Sequence, residues 1–150
     1  MTGLYYEDFE IGHIFSHKTG RTVYDYDNVL FSTLTMNPQP LHLDEEYSSR
    51  AEFGKPLMNS LFTLGLAIGL TVNDTTLGTT VGNLGFDKVE FPKPVFAGDT
   101  IYVETEVLNK RESKSRPKEG LVFLEHRARN QHEEIVMCCQ RVALMRKKHN

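Results

Sequence analysis

Apolar and polar positions alternate along Thr100 to Val107, with Ile101, Val103, Thr105 and Val107 on one side and Tyr102, Glu104 and Glu106 on the other. That period of two predicts a β-strand with one buried face. GLVFLEHRARN and EEIVMCCQRVALM alternate less cleanly. With turn residues around Asn130 between them, they predict two further long antiparallel strands. GNLGFDKVEFPKPVFAGD carries glycines and prolines that suit an edge or bulged strand followed by a tight turn at Gly98 and Asp99. KRESKSRPKEG, Lys110 to Gly120, reads as a charged loop between strands.

A different period governs Ser60 to Val72. Leu61, Leu64, Ile68 and Val72 recur at helical spacing, while Phe62, Leu66 and Ala67 fill the other sides, so this helix is apolar nearly all round and has to be wrapped. At 13 residues it is too short to cross a bilayer, which takes roughly 20. Gly65 and Gly69 lie one turn apart and would admit a neighbouring backbone, at some cost in helix propensity. One such helix and about five strands predict an α+β domain whose sheet curls about a central helix. No repeat or linker divides the chain, so residues 1–150 are expected to form a single domain.

Composition narrows the function classes. A formal charge of −3 argues against non-specific binding to nucleic acid. The two cysteines, Cys138 and Cys139, are adjacent in a predicted strand and should point to opposite faces, which suits a reducing compartment. MTGLYYEDFEIG lacks a basic stretch followed by an apolar one, so no signal peptide is visible and the cytoplasm is the expected location. His13, His17, His126 and His132 show no spacing of a zinc site, and no metal is expected.

The chemistry concentrates in MNPQPLHLDEEY, just ahead of the apolar helix. NPQPLHLDEEYSSRAEFGKPLMNSLF together with KVEFPKPVFAGDTIYVETEV resembles the MaoC-like dehydratases, a hot-dog-fold family that includes the R-specific 2-enoyl-CoA hydratases. The resemblance runs from about Tyr5 to Met145. It implies a hot-dog fold and a lyase that adds water across the double bond of a 2-enoyl-CoA thioester. Coenzyme A then enters as part of the substrate, and no separate cofactor is implied.

The family motif places an Asp five residues before a His, with a polar residue between. Here the His is His42, the polar position is Gln39, and Asn37 stands at the Asp position. An amide exchanges no proton near neutral pH, so Asn37 cannot be a general base. Hydration also needs a donor for the enolate oxygen, which a helix N-terminus supplies through free N–H groups and its dipole. In the family that donor is the backbone of a Gly following a His at the start of the central helix, positions that match Ser60 and Asn59. Asn59 equally suits a structural N-cap. Histidine's ordinary pKa of about 6.5 suits proton transfer near neutrality. His42 is therefore expected to take the proton from water while the Asn37 carbonyl orients that water. Asp44, Asp25 and Asp27 are alternative carboxylate partners, and Tyr24 and Tyr26 are expected to pack under the motif loop.

NPQPLH with LMNSLFTLG further resembles hydratases of short branched or dicarboxylic esters such as mesaconyl-CoA or itaconyl-CoA. A second carboxylate on the substrate would want a cation, for which Arg50, Lys55 and Lys93 are candidates. It would also repel a catalytic Asp, which suits the amide at position 37. Arg111, Lys114 and Arg116, with Lys110 and Lys118 in the same loop, could meet the phosphates of coenzyme A, although a solvated hairpin is the plainer reading. The resemblance implies at least a homodimer with the acyl-CoA tunnel between subunits, and leaves open a hexamer of dimers. Two rivals remain. A hot-dog thioesterase would need a carboxylate on or beside the helix, and Ser60 to Val72 has none; a non-catalytic acyl-CoA or acyl-carrier binding protein would fit the amide at Asn37.

Overall fold

The computed structural model describes residues 3–148. Six strands and four α-helices follow in the order β1 (Ile14–Ser16), β2 (Arg21–Thr22), α1 (Asp25–Leu34), α2 (Pro40–Leu43), α3 (Glu45–Ser49), α4 (Ser60–Thr71), β3 (Thr80–Glu90), β4 (Thr100–Glu112), β5 (Glu119–Arg129) and β6 (Ile135–Arg146). The sheet order is β1-β4-β5-β6-β3, all antiparallel, with β2 pairing β4 off this path. The alternation at Thr100–Val107 becomes the first part of β4, whose Ile101, Val103, Thr105 and Val107 are buried as expected. Lys110, Arg111 and Glu112 extend that strand, so the charged connection shrinks to the residues between Glu112 and Glu119. Their cross-strand bonds to Val122, Leu121 and Gly120 favour strand over loop despite the charges. Glycine at 120 is required sterically, since a Cβ there would meet the Tyr6 ring at 2.2 Å. Gly98, at φ +96°, makes the tight turn before β4 together with Asp99, whose carboxylate accepts from Phe96 N–H.

β3 is an edge strand with three register shifts and exposed residues along nearly its whole length. Its glycines and the prolines after it fit that position.

The wrapping of α4 differs from the expectation. The side chains it buries are Thr63, Ala67 and Thr71 rather than the larger Leu61, Leu64, Ile68 and Val72. Small residues at i, i+4 and i+8 let the helix lie close to β4 and β5, where Ala67 packs with Ile101, Val103, Ala128, Val136, Met137 and Cys139. The opposite face stays open: Leu61 is 59% exposed, and a Cβ at Gly65 or Gly69 would meet nothing within 4 Å. No neighbouring backbone among the described residues approaches these glycines in the way expected. No described helix is long and apolar enough to cross a membrane.

Helix α1 inverts the usual pattern. It buries Asp27, Asn28 and Ser32 and exposes Tyr26, Val29, Leu30 and Leu34. Tyr24 and Tyr26 stack on each other 5.3 Å apart and stand half-exposed or more, instead of packing under the motif loop. Their neighbour Asp27 is taken up by a bidentate ion pair with Arg21, both contacts at 2.7 Å, and by Tyr24 N–H.

Two apolar clusters make up the core, one around α4 and one joining Phe9, Val107, Val122, Leu124, Ala143 and Met145. A chain of polar groups crosses β4, β5 and β6: Asp74 to His17 (3.0 Å), His17 to Thr105 (2.8 Å), Thr105 to His126 (2.8 Å) and His126 to Arg141 (2.8 Å). The direction of every proton follows from the ends. Arg141 Nε–H can only donate, so His126 Nε2 accepts and His126 Nδ1–H donates to the Thr105 hydroxyl. Thr105 then donates to His17 Nε2, and His17 Nδ1–H donates to the Asp74 carboxylate. The scattered histidines His17 and His126 thus meet through one threonine, but as hydrogen-bonding groups; among the described residues no three His, Cys, Asp or Glu side chains gather as metal ligands would.

This chain makes stability pH-dependent. Burial, then the Arg141 charge and then His17, hold the His126 imidazole well below its ordinary 6.5. Cys139, opposite it on β6, has its thiol pushed up to about 11 by burial and stays neutral. Because the folded ring resists protonation, the unfolded chain takes up the proton first as pH falls. The contribution is therefore complete above the unfolded value of about 6.5 and is lost progressively below it. Melting temperatures measured from pH 8 to pH 5 should be level at first and fall below about 6.5; an unchanged midpoint down to pH 5 would contradict the neutral His126.

The first and last described segments meet beside the β4–β5 hairpin. Lys148 N–H donates to the Glu7 carboxylate at 3.0 Å, Lys148 Nζ pairs with Asp8, and Lys110 Nζ donates to the Tyr6 and Glu7 carbonyls.

Candidate active site

The two prolines of the motif segment act locally. Pro40 starts α2 at a position where its missing N–H costs nothing, and Asp44 caps α3 by accepting from Tyr47 N–H at 2.8 Å. Asp44 is thus committed to a helix cap and Asp27 to Arg21; among the described residues no carboxylate hydrogen-bonds the His42 ring.

His42, in the last turn of α2, turns its ring toward the segment before α4. Its Nδ1 lies 2.7 Å from the Leu57 carbonyl. A carbonyl only accepts, so Nδ1 carries the proton and Nε2 presents a lone pair. Two residues on, Asn59 caps α4 by accepting from Leu61 N–H at 3.1 Å. The Ser60 and Phe62 N–H groups find no partner among the described residues, so the helix N-terminus offers two donors beside the segment that holds His42. His42 and Ser60, drawn from separate parts of the motif, are thereby joined through three residues of backbone.

Asn37 follows Met36, which sits at φ +55°, and its carbonyl oxygen accepts from Gln39 N–H at 3.1 Å. One lone pair and the amide NH₂ remain for other partners. Gln39 itself is exposed.

A cavity of about 370 Å³ opens at the α4 N-terminus, lined by Phe53, Leu57, Ser60, Thr63, Phe91 and Lys93 among others. His42 is not in its wall and reaches it only through Leu57. A larger cavity of about 460 Å³, bounded by Leu84, Phe86, Leu108, Phe123 and Val142, contains no histidine and has no α4 residue in its wall.

Of the three cations expected to meet a second carboxylate, only Lys93 lines the Ser60 cavity, with Glu134 at a loose 3.8 Å. Arg50 pairs with Glu46 one turn earlier, at 3.4 Å, and Lys55 lies over the Phe96 ring, 4.3 Å from its centre. Arg111, Lys114 and Arg116 do converge on one cavity, with Ser113 and Ser115. It sits at the hairpin end of β4, however. Nine residues of strand separate Arg111 from Tyr102, whose partner Arg129 pairs Ile135 beside the Ser60 cavity, a distance of about 30 Å at ~3.3 Å per residue. Within one chain the sheet thus carries these three residues to the end opposite the Ser60 cavity.

Sequence reasoning missed Asn28. Its side chain is buried on α1, donates through Nδ2 to the His42 carbonyl (3.0 Å) and the Leu57 carbonyl (2.9 Å), and accepts Asn59 N–H on Oδ1 (2.9 Å). Asn59 Nδ2 in turn reaches the Ser32 hydroxyl at 3.3 Å. The signal was the polar pair Asn28 and Ser32 at helical i, i+4 spacing, which searches for apolar periodicity pass over.

Residues 8–129 match the family model described as MaoC like domain. A mesaconyl-CoA hydratase of Cereibacter sphaeroides is 30% identical over 97% of this chain, and the chain spans 42% of the length of that curated relative. A crystal structure described as a monoamine oxidase regulatory protein from Archaeoglobus superposes with a TM-score of 0.88 at 31% identity, covering 99% of this chain and 98% of that one. A Mycobacterium tuberculosis protein described as having a double hotdog fold superposes at 0.89 with 23% identity, covering 99% of this chain and 46% of that one, which identifies the fold as hot-dog.

Proposed function

Because the chain belongs to the MaoC-like domain family, we propose that it hydrates the double bond of a short 2-enoyl-CoA thioester at His42. The observation that carries this reading is the tether between the His42 ring and the Leu57 carbonyl, just ahead of a helix N-terminus with two free N–H groups. In the reaction, His42 Nε2 takes a proton from water as the hydroxide adds to the β-carbon. Electrons of the double bond move onto the thioester oxygen, which the Ser60 N–H and the helix dipole hold as it becomes an enolate. The imidazolium then returns its proton to the α-carbon, so one group handles both transfers and the missing carboxylate at position 37 leaves the proton count balanced. Asn37 orients the water with its remaining lone pair or its NH₂ group.

For the acyl group we favour a short branched or dicarboxylic ester. The support is Lys93 in the wall of the Ser60 cavity and the likeness to a mesaconyl-CoA hydratase. Hydration assays with mesaconyl-CoA, itaconyl-CoA and crotonyl-CoA test both levels. Faster turnover of crotonyl-CoA would sink the dicarboxylic assignment. Release of free thiol from saturated acyl-CoA, or binding without turnover, would sink the hydratase.

The open face of α4 and the unpaired edge β3 favour a second copy as the missing neighbour, as does a relative that carries two hot-dog units in one chain. In one copy, Gly69→Arg meets open space and gains helix propensity of up to ~1 kcal/mol. It should convert a dimer to a folded monomer by light scattering; a wild-type monomer, or a variant that stays dimeric, would refute the pairing through this face.

A further inference from the structure

The proposed reaction needs two groups held at a fixed separation, and they stand on different segments: His42 on α2 and the Ser60 N–H at the start of α4. One side chain from a third segment touches both mounts. Asn28 of α1 is 3% exposed and spends three of its four hydrogen-bonding sites there, on the carbonyl of His42 itself, on the carbonyl that holds the His42 ring, and on the N–H of the residue that caps α4. We propose that Asn28 is a positioning residue for proton transfer, setting the His42 ring and the α4 N-terminus in register; this rests on the hydratase reading.

The chemistry of the carboxamide explains why asparagine stands here. Two carbonyl oxygens and one N–H converge on the side chain, and only a group with two donors on one atom and an acceptor on the other answers all three. A carboxylate would turn an oxygen toward two carbonyl oxygens. A hydroxyl is too short to span them. Glutamine would bring its amide one methylene too far. The Leu57 carbonyl accepts both the ring Nδ1–H and the Asn28 Nδ2–H, so the amide locks the acceptor that in turn locks the tautomer leaving Nε2 free. One turn further along α1, the Ser32 hydroxyl takes the Asn59 amide, so the buried polar face of this helix is given over to holding the site. That use accounts for the inverted burial of α1, which buries amide and hydroxyl groups while its apolar side chains face solvent. Displacements of about 1 Å between reacting groups cost on the order of 100-fold in rate.

The test is Asn28→Asp, nearly isosteric, which keeps an oxygen for Asn59 N–H and removes both donors. kcat for enoyl-CoA hydration should fall about 100-fold with KM changed little. The acid limb of the kcat/KM profile should move to higher pH, because an added anion beside His42 favours its imidazolium. Nitrogen-detected NMR of the His42 imidazole should report the same upward movement and a loss of the pure Nδ1–H tautomer. Asn28→Ser is the second variant should the aspartate fail to fold, and a loss of about tenfold is expected because one donor survives at the wrong reach. A folded variant with wild-type kcat and an unmoved acid limb, or one that loses only melting temperature, overturns the proposal. If the wild-type chain turns over none of the three esters, the hydratase reading has failed on its own, and the NMR titration still decides Asn28: an unchanged His42 tautomer and midpoint overturns it.

Discussion

His42→Ala should lower kcat for enoyl-CoA hydration by about 100- to 10,000-fold, the range for losing a general acid–base group. The cause is specific to this site. Asn37 is an amide, the nearby carboxylates Asp27 and Asp44 are held by Arg21 and by the α3 cap, and among the described residues no carboxylate hydrogen-bonds the His42 ring. On the proposed mechanism, what remains after the change is the Ser60 N–H and the helix dipole, which act on the enolate oxygen alone. KM should move much less, since the His42 ring is outside the wall of the cavity at Ser60. The ring is half-buried and makes a single hydrogen bond, so circular dichroism of the variant should match the parent. Asn37→Asp complements it by restoring the carboxylate of the family motif. If His42 already performs both transfers, this variant gains little on crotonyl-CoA and loses on a dicarboxylic ester, whose own charge would oppose it. A His42→Ala enzyme with undiminished kcat would move the chemistry elsewhere.

The largest change in stability should come from His126→Ala. The imidazole is fully buried, and it is the side-chain partner of the Arg141 guanidinium, which is 7% exposed and already has Nη2 without a hydrogen bond. Removing the ring strips Nε of its acceptor and Thr105 of its donor, and it leaves a cavity between β4, β5 and β6. Each buried polar group left unmet costs roughly 1–3 kcal/mol, more where a charge is involved, so a loss of about 3–5 kcal/mol is expected from urea denaturation. Arg141→Met supplies the contrast. It takes away the buried charge together with its unmet Nη2 and orphans only the His126 Nε2 acceptor, so it should cost markedly less than His126→Ala. Equal losses in the two variants would mean that cavity volume, and not the stranded guanidinium, sets the energy.

The sequence revealed the fold most clearly where one apolar face met one polar face. β4 alternates without interruption up to Val107, and it emerged as expected. The central helix was equally plain as a helix but misleading as to its faces. An all-round apolar helix does not say which side the sheet takes, and close approach selected Thr63, Ala67 and Thr71 over the bulkier leucines. α2 and α3, of 4 and 5 residues, are too short to carry a period, and the sequence pattern did not reveal them. α1 was hidden because its buried face is polar. The proximity of His42 to Asn59 and Ser60 was legible because motif spacing is local. The hub at Asn28 was not, since its three bonds reach 14, 29 and 31 residues along the chain. The hairpin cations Arg111, Lys114 and Arg116 were legible as a charge cluster, while their separation from the helix N-terminus of their own chain came only with the strand lengths.

The meeting of the first and last described segments beside the β4–β5 hairpin bears on tandem duplication. Glu7, Asp8, Lys147 and Lys148 lie together at the end of the sheet remote from Ser60. A connector joining one unit to the next would leave and enter at that end, about 30 Å along β4 from Tyr102 at the other end of the strand. Two such units could thus be strung on one chain, as in a protein with a double hotdog fold, without any linker passing across the mouth of either site.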